Sequence, residues 1–280
     1  MSDEVQTLEY ASTAEELPSD PIPLRRRLAA EGVGTFLMVF FGCGSMAVDA
    51  AYGGAIGHVG IGIVWGVVVM ALIYAIGDVS GAHFNPAVSF AFWLSGRFRG
   101  KDALAFSGVQ VVAATVASLL LLLSFWSPLG ISGFLTIDLG QTNPNAVRHY
   151  FDGTENLSIF VPVTLTDSPW VAVARAFGFE VVLTFALVFV ILCVAVGSKE
   201  RGLMAGIAIG GTVGICALAA GPVCRASMNP ARSIGPAVAA LDFQHLWLYC
   251  AAPFIGAAIA VGAWTYIYRH PRPARIDVRP

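Results

Sequence analysis

Ser80-Gly-Ala-His-Phe-Asn85-Pro86-Ala87-Val-Ser89 and Ser227-Met-Asn229-Pro230-Ala231-Arg-Ser233 share one triplet, Asn-Pro-Ala. The copies stand 144 positions apart, and each interrupts a long apolar stretch. A polar turn within hydrocarbon is costly, because unpaired backbone groups there cost several kcal/mol each. It is tolerated where it is buried in protein or lines a water-filled cavity. Asn caps the free amides at a helix start, and Pro fits the first helical position. Each triplet therefore predicts a short helix that begins inside the membrane. Two such helices aim their positive dipole ends at one point.

The rest of the chain fits a membrane setting. Of 280 residues, 56% are hydrophobic and 12% charged, where a soluble domain carries about 25% charged. Six apolar segments reach the ~20 residues that cross a bilayer: about 28–50, 59–77, 103–126, 169–196, 202–220 and 245–268. The pieces after the triplets, about 86–95 and 230–240, are too short to cross. Residues 1–23 form an acidic tail, expected to be disordered and cytoplasmic, and 271–280 form a second cytoplasmic tail.

The basic residues set the orientation. Arg25-Arg26-Arg27, then Arg97, Arg99 and Lys101, then Lys199 and Arg201, then Arg269, Arg272, Arg275 and Arg279, all fall on one side of a six-span chain. That side is the cytoplasm by the positive-inside rule. Both termini are thus expected inside, with the protein in the plasma (inner) membrane.

The halves match. Glu31-Gly-Val-Gly-Thr35-Phe in the first span echoes Glu180-Val-Val-Leu-Thr184-Phe in the fourth, and the glutamates precede their triplets by 54 and 49 positions. Three spans per half is odd, so the second repeat (about 169–270) lies inverted relative to the first (about 24–126). The outer loop, 127–168, joins them and has no assignable task. Glycines at four-residue spacing, Gly62 and Gly66, then Gly202, Gly206, Gly210 and Gly214, let helices approach closely. Packing within one bundle is favoured over a subunit interface.

Several classes are disfavoured. A net charge of -2 gives no reason to propose nucleic acid. Cys43, Cys193, Cys216, Cys224 and Cys250 have no metal-site spacing and read as small packing residues. No cofactor, metal site or catalytic residue is expected: no nucleophile set or phosphate-binding loop stands out, so the chain does not read as an enzyme. Glu31 and Glu180 are acids inside spans, where a proton relay is the default reading. No further chain of acids or histidines continues it.

The two triplet segments resemble the signature loops of the aquaporin (major intrinsic protein) family, over roughly 24–270. The resemblance implies an all-α membrane protein, a right-handed bundle of six transmembrane helices plus two re-entrant half-helices. It also implies one pore per subunit and a homotetramer. It makes Glu31 and Glu180 acceptors for the triplet loops and His83 a brace near the cytoplasmic mouth. Arg232, one turn beyond Asn229, becomes the fixed charge that excludes protons and cations together with the half-helix dipoles. This is the known device of aquaporin-type pores and is carried over here.

The family's outer constriction falls on Trp65, Ala217, Ala226 and Arg232. Water-selective members combine Phe and His with the Arg. Here His is absent and two positions are methyl-sized. This set is similar to that of nodulin-26-like intrinsic proteins. Ser233 stands where glycerol facilitators have Asp, and Cys224-Arg225 replaces the Ser-Gly common in the nodulin-26-like branch. The expectation is a passive channel for water and small uncharged solutes, with glycerol and metalloid hydroxides such as arsenite or boric acid among them. The alternatives are a water-selective pore and a junction protein that conducts little.

Overall fold

The computed structural model describes residues 22–52, 54–124, 169–195, 204–243 and 245–268. The acidic tail up to residue 21, the loop 125–168 and the segment after 268 lie outside these. Among the described residues, eight helices follow in order: α1 (Leu24–Ala51), α2 (Gly57–Ser80), α3 (Pro86–Leu94), α4 (Gly100–Ser124), α5 (Pro169–Ala195), α6 (Ala205–Cys224), α7 (Pro230–Ala240) and α8 (Leu246–Tyr268). Among the described residues there is no strand. Six of the helices are long and apolar enough to cross a membrane. α3 and α7, of 9 and 11 residues, are not.

Each half packs alike. α1 lies against α2 and α4, as α5 lies against α6 and α8. α3 of the first half reaches α8 of the second, and α7 of the second reaches α4 of the first. The halves meet along α2 and α6, where glycines bring backbones into contact. A Cβ on Gly66 would stand 2.9 Å from the Gly210 carbonyl oxygen, and one on Gly210 only 2.6 Å from that of Gly66. The glycine spacing at 62, 66, 210 and 214 is thus spent inside the bundle. Gly202 is outside the described residues.

Polarity is turned inward. Glu31, Gln110, Glu180, Thr184 and Ser233 are fully buried, while Val33, Leu104, Val182, Ile215 and Ile259 are exposed. Lipid accepts such an outside, because helices satisfy their backbone polar groups internally. Of the basic residues expected on one face, Arg27, Arg97 and Arg99 gather at one end, while Lys199, Arg201 and those from Arg269 onward lie outside the described residues. Arg27 approaches Asp102 at 4.0 Å and stacks on Phe98, Arg99 pairs with Asp102 at 3.0 Å, and Arg97 stacks on Trp264 near the end of α8.

Two helix ends differ from expectation. α6 was expected to span 202–220 but runs from Ala205 to Cys224, through Pro222. Proline removes one hydrogen bond without ending the last turn. The helix stops only at Arg225, which is left-handed (φ 65) and donates its N–H to Gly221. α2 starts under a cap from another helix: Asp49 of α1 accepts the N–H groups of Ile56 and Gly57 at 2.8 and 2.6 Å. Such a partner satisfies two amides that the helix start leaves open.

Candidate functional site

The triplets meet as two helix starts. Asn85 is extended (φ -155), and its Oδ1 accepts the Ala87 N–H at 2.8 Å. Asn229 is likewise extended (φ -148), accepting from Ala231 at 3.0 Å and Arg232 at 3.3 Å. With Oδ1 occupied as an acceptor, each Nδ2 must donate elsewhere. Asn85 donates to the Met228 carbonyl at 2.7 Å, and Asn229 to the Phe84 carbonyl at 2.9 Å. The loops are cross-linked reciprocally, and each amide retains a second hydrogen.

Shaping these loops strains the backbone. Ala82, Phe84, Ala226 and Met228 all have φ between 45 and 53. Left-handed conformations cost about 1–2 kcal/mol for residues with a Cβ. The buried glutamates hold them there. Glu31 accepts from Ser80 Oγ (2.8 Å), His83 N–H (2.8 Å), Phe84 N–H (2.7 Å) and Gln110 Nε2 (2.8 Å). Glu180 accepts from the Ser227 and Met228 N–H groups at 2.7 and 2.8 Å.

His83 pairs its Nδ1 with Ser89 Oγ at 3.0 Å and stacks on Phe92 with centroids 4.7 Å apart. Gln110, a buried amide on α4, was not singled out from the sequence. It links Glu31 to Ser89, and its isolation within the apolar run 103–126 was the available signal.

Trp65, Ala217, Ala226 and Arg232 line one cavity of about 620 Å3, together with Asn85 and Asn229. They come from α2, α6, the second loop and α7. Two of these walls touch. The Arg232 guanidinium carbon lies 4.2 Å from the Trp65 ring centroid. A buried cation on an aromatic face is worth about 2 kcal/mol. The indole's other neighbour is Gly42, where a Cβ would stand 2.5 Å away. Trp65 is therefore a support for Arg232 as well as a wall.

Arg232 Nη2 donates to the Arg225 carbonyl at 3.3 Å. Arg232 Nη1 and Trp65 Nε1 have no hydrogen-bond partner among the described residues. Arg225 enters through its backbone, as a left-handed turn residue and an acceptor for Arg232.

The five cysteines form no disulfide, and Cys43, Cys216 and Cys224 are buried. Among the described residues, no group of three His, Cys, Asp or Glu could hold a metal.

Residues 19–266 match the family model described as "Major intrinsic protein". The chain is 41% identical over 239 residues to aquaporin NIP1-2 of Oryza sativa subsp. japonica, covering 85% of this chain and 70% of that one. It is 38% identical over 252 residues to aquaporin NIP1-2 of Arabidopsis thaliana, covering 90% and 76%. Its fold is similar to the X-ray structure of the aquaglyceroporin from Plasmodium falciparum. That likeness has a TM-score of 0.62 and 21% identity, covering 86% of this chain and 96% of that one.

Proposed function

The chain belongs to the major intrinsic protein family, and from that premise we propose a pore of the wide kind. As a member, the chain is a multi-pass membrane channel for water and small uncharged solutes, and not an enzyme. The wide pore passes glycerol, and uncharged metalloid hydroxides such as arsenous or boric acid, besides water.

One observation carries the proposal. Two of the four residues at the expected constriction, Ala217 and Ala226, are methyl-sized and line the same cavity as Arg232. Small side chains there leave room for a carbon or metalloid centre. The unpaired donors Arg232 Nη1 and Trp65 Nε1 suit a hydroxylated solute, since an unmet buried donor costs about 1–3 kcal/mol. A passing hydroxyl offers both the acceptor they lack.

Solutes pass in single file down their gradient. At the centre, the second hydrogens of Asn85 and Asn229 donate to the solute. Arg232 and the N-terminal ends of α3 and α7 repel cations and protons. Arg27, Arg97 and Arg99 at one end, with the positive-inside pattern of the sequence, support a plasma-membrane orientation with both termini cytoplasmic. A homotetramer, with one pore in each subunit, completes the proposal.

The test is stopped-flow light scattering on proteoliposomes. Swelling in a glycerol gradient faster than in protein-free liposomes is expected. Fast water flow without glycerol flow identifies a water-selective pore instead. Permeability to neither solute, in correctly folded protein, leaves the junction protein.

A further inference from the structure

The last turn of α6 contains Pro222. Proline has no N–H, so the carbonyl four residues back, that of Leu218, lacks its helical donor. The equivalent position in the first half, 144 residues earlier, is Asp78, which has an N–H. Of the matched pair α2 and α6, only α6 carries the defect. His58, in the first turn of α2, fills it: its Nε2 lies 2.8 Å from the Leu218 oxygen. A carbonyl only accepts, so this nitrogen carries the proton.

The surroundings are shaped to the contact. A Cβ on Gly221 would stand 3.0 Å from His58 Cε1. A Cβ on Gly62, one turn after His58, would stand 2.5 Å from Leu218 Cδ2. The strap thus joins the two helices at one end of their glycine-lined contact. Both helices carry constriction residues next to it, since Ala217 adjoins Leu218 and Trp65 follows Gly62 by three positions.

We propose that His58 is a positioning residue for the constriction: its hydrogen bond holds the interrupted end of α6 against α2 and so fixes the spacing of Ala217 and Trp65. That spacing sets the largest solute the pore admits. The proposal rests on the wide-pore reading for its transport consequence, but not for its structural one.

Four variants test it: His58→Phe, His58→Gln, Pro222→Ala and the double variant His58→Phe/Pro222→Ala. Two quantities are measured in proteoliposomes: the erythritol-to-glycerol permeability ratio, and backbone amide exchange over residues 219–226. His58→Phe removes the donor. It is expected to raise the ratio about threefold and to speed exchange by a similar factor. His58→Gln keeps an N–H and is expected to stay near wild type. Pro222→Ala gives Leu218 a helical donor, so the double variant is expected to match Pro222→Ala in both measurements.

Unchanged ratio and exchange in His58→Phe overturn the proposal. So does a double variant as altered as His58→Phe alone. If the wild type passes no glycerol, the wide-pore reading fails by itself, and amide exchange still decides whether the strap holds α6.

Discussion

Adding 144 to each residue of the first re-entrant loop gives its counterpart in the second, and the left-handed turns recur at the matching positions. Left-handed Gly81, Ala82 and Phe84 (φ 91, 49 and 48) map onto Arg225, Ala226 and Met228 (φ 65, 45 and 53). The bond from His83 to Ser89 maps onto the bond between Ser227 and Ser233, 2.6 Å long. What differs is bracing and cargo. Glu31 takes two side-chain donors besides two backbone amides, and Val88 follows its triplet. Glu180 takes two backbone amides, with the Cys224 thiol beside it, and Arg232 stands where the first loop has Val88. One half is tied down as scaffold. The other holds the buried charge proposed to meet the solute, and holds it through Trp65 and the Arg225 carbonyl.

The largest effect should come from the braces, and it should be unequal. Glu31→Ala leaves four buried donors unmet, whereas Glu180→Ala leaves fewer. At about 1 kcal/mol or more for each donor, the first loss is on the order of 4 kcal/mol and the second about 2 kcal/mol. Thermal unfolding in detergent, followed by fluorescence and size exclusion, reads the difference. An equal loss in both variants breaks the contrast between scaffold and cargo.

Next comes the charge. Arg232→Val gives the second loop the residue of the first. The variant is expected to fold and to keep water and glycerol flow, because a buried charge is removed and no brace is touched. Cation and proton exclusion should fall, with leak rising about tenfold, equivalent to ~1.4 kcal/mol of barrier. Dye-reported proton flux in proteoliposomes under a pH gradient measures it. No increase means that the helix ends exclude ions without Arg232.

A smaller and more selective effect is expected at Ala226. Ala226→Phe places a ring at the cavity wall while sparing both triplets. Glycerol flow should drop about tenfold while water flow stays within about threefold, a discrimination of the size one pocket contact supplies. If both fall together, the ring has blocked the path and the constriction lies elsewhere.

The fold was legible because two signals are physical and local. Asn before Pro inside hydrocarbon can only be a capped, protein-lined helix start, and long apolar runs can only be spans. Counting from the triplets then reached Trp65 and Arg232. Contacts between separate elements were legible only where a resemblance or a spacing announced them, as for Glu31, Glu180 and the glycines. The stack of Arg232 on Trp65 depends on how α7 meets α2, which no spacing along the chain encodes. Gln110 looks like a stray amide until Glu31 is seen beside it. The left-handed turns at Ala82, Phe84 and Met228 lack the glycine that normally announces them, because the glutamates hold residues with side chains in that conformation. Pro222 misplaced the end of α6, since a proline in the last turn costs one bond and His58 supplies another.

The smallest effect probes a place where the two loops share a left-handed turn but not the residue type. Arg225 is left-handed at the position where its counterpart is Gly81. A side chain in that region costs about 1 kcal/mol, while glycine loses more chain entropy on folding. The two backbone effects nearly cancel, so Arg225→Gly should shift stability by no more than about 0.5 kcal/mol through the backbone. The Arg232 contact is to the backbone carbonyl, so it survives the substitution and solute selectivity should hold. Thermal unfolding and the glycerol-to-water ratio, measured on one preparation, separate the two consequences. A changed ratio at unchanged stability would assign the Arg225 side chain, and not only its carbonyl, a part in selection at the outer mouth.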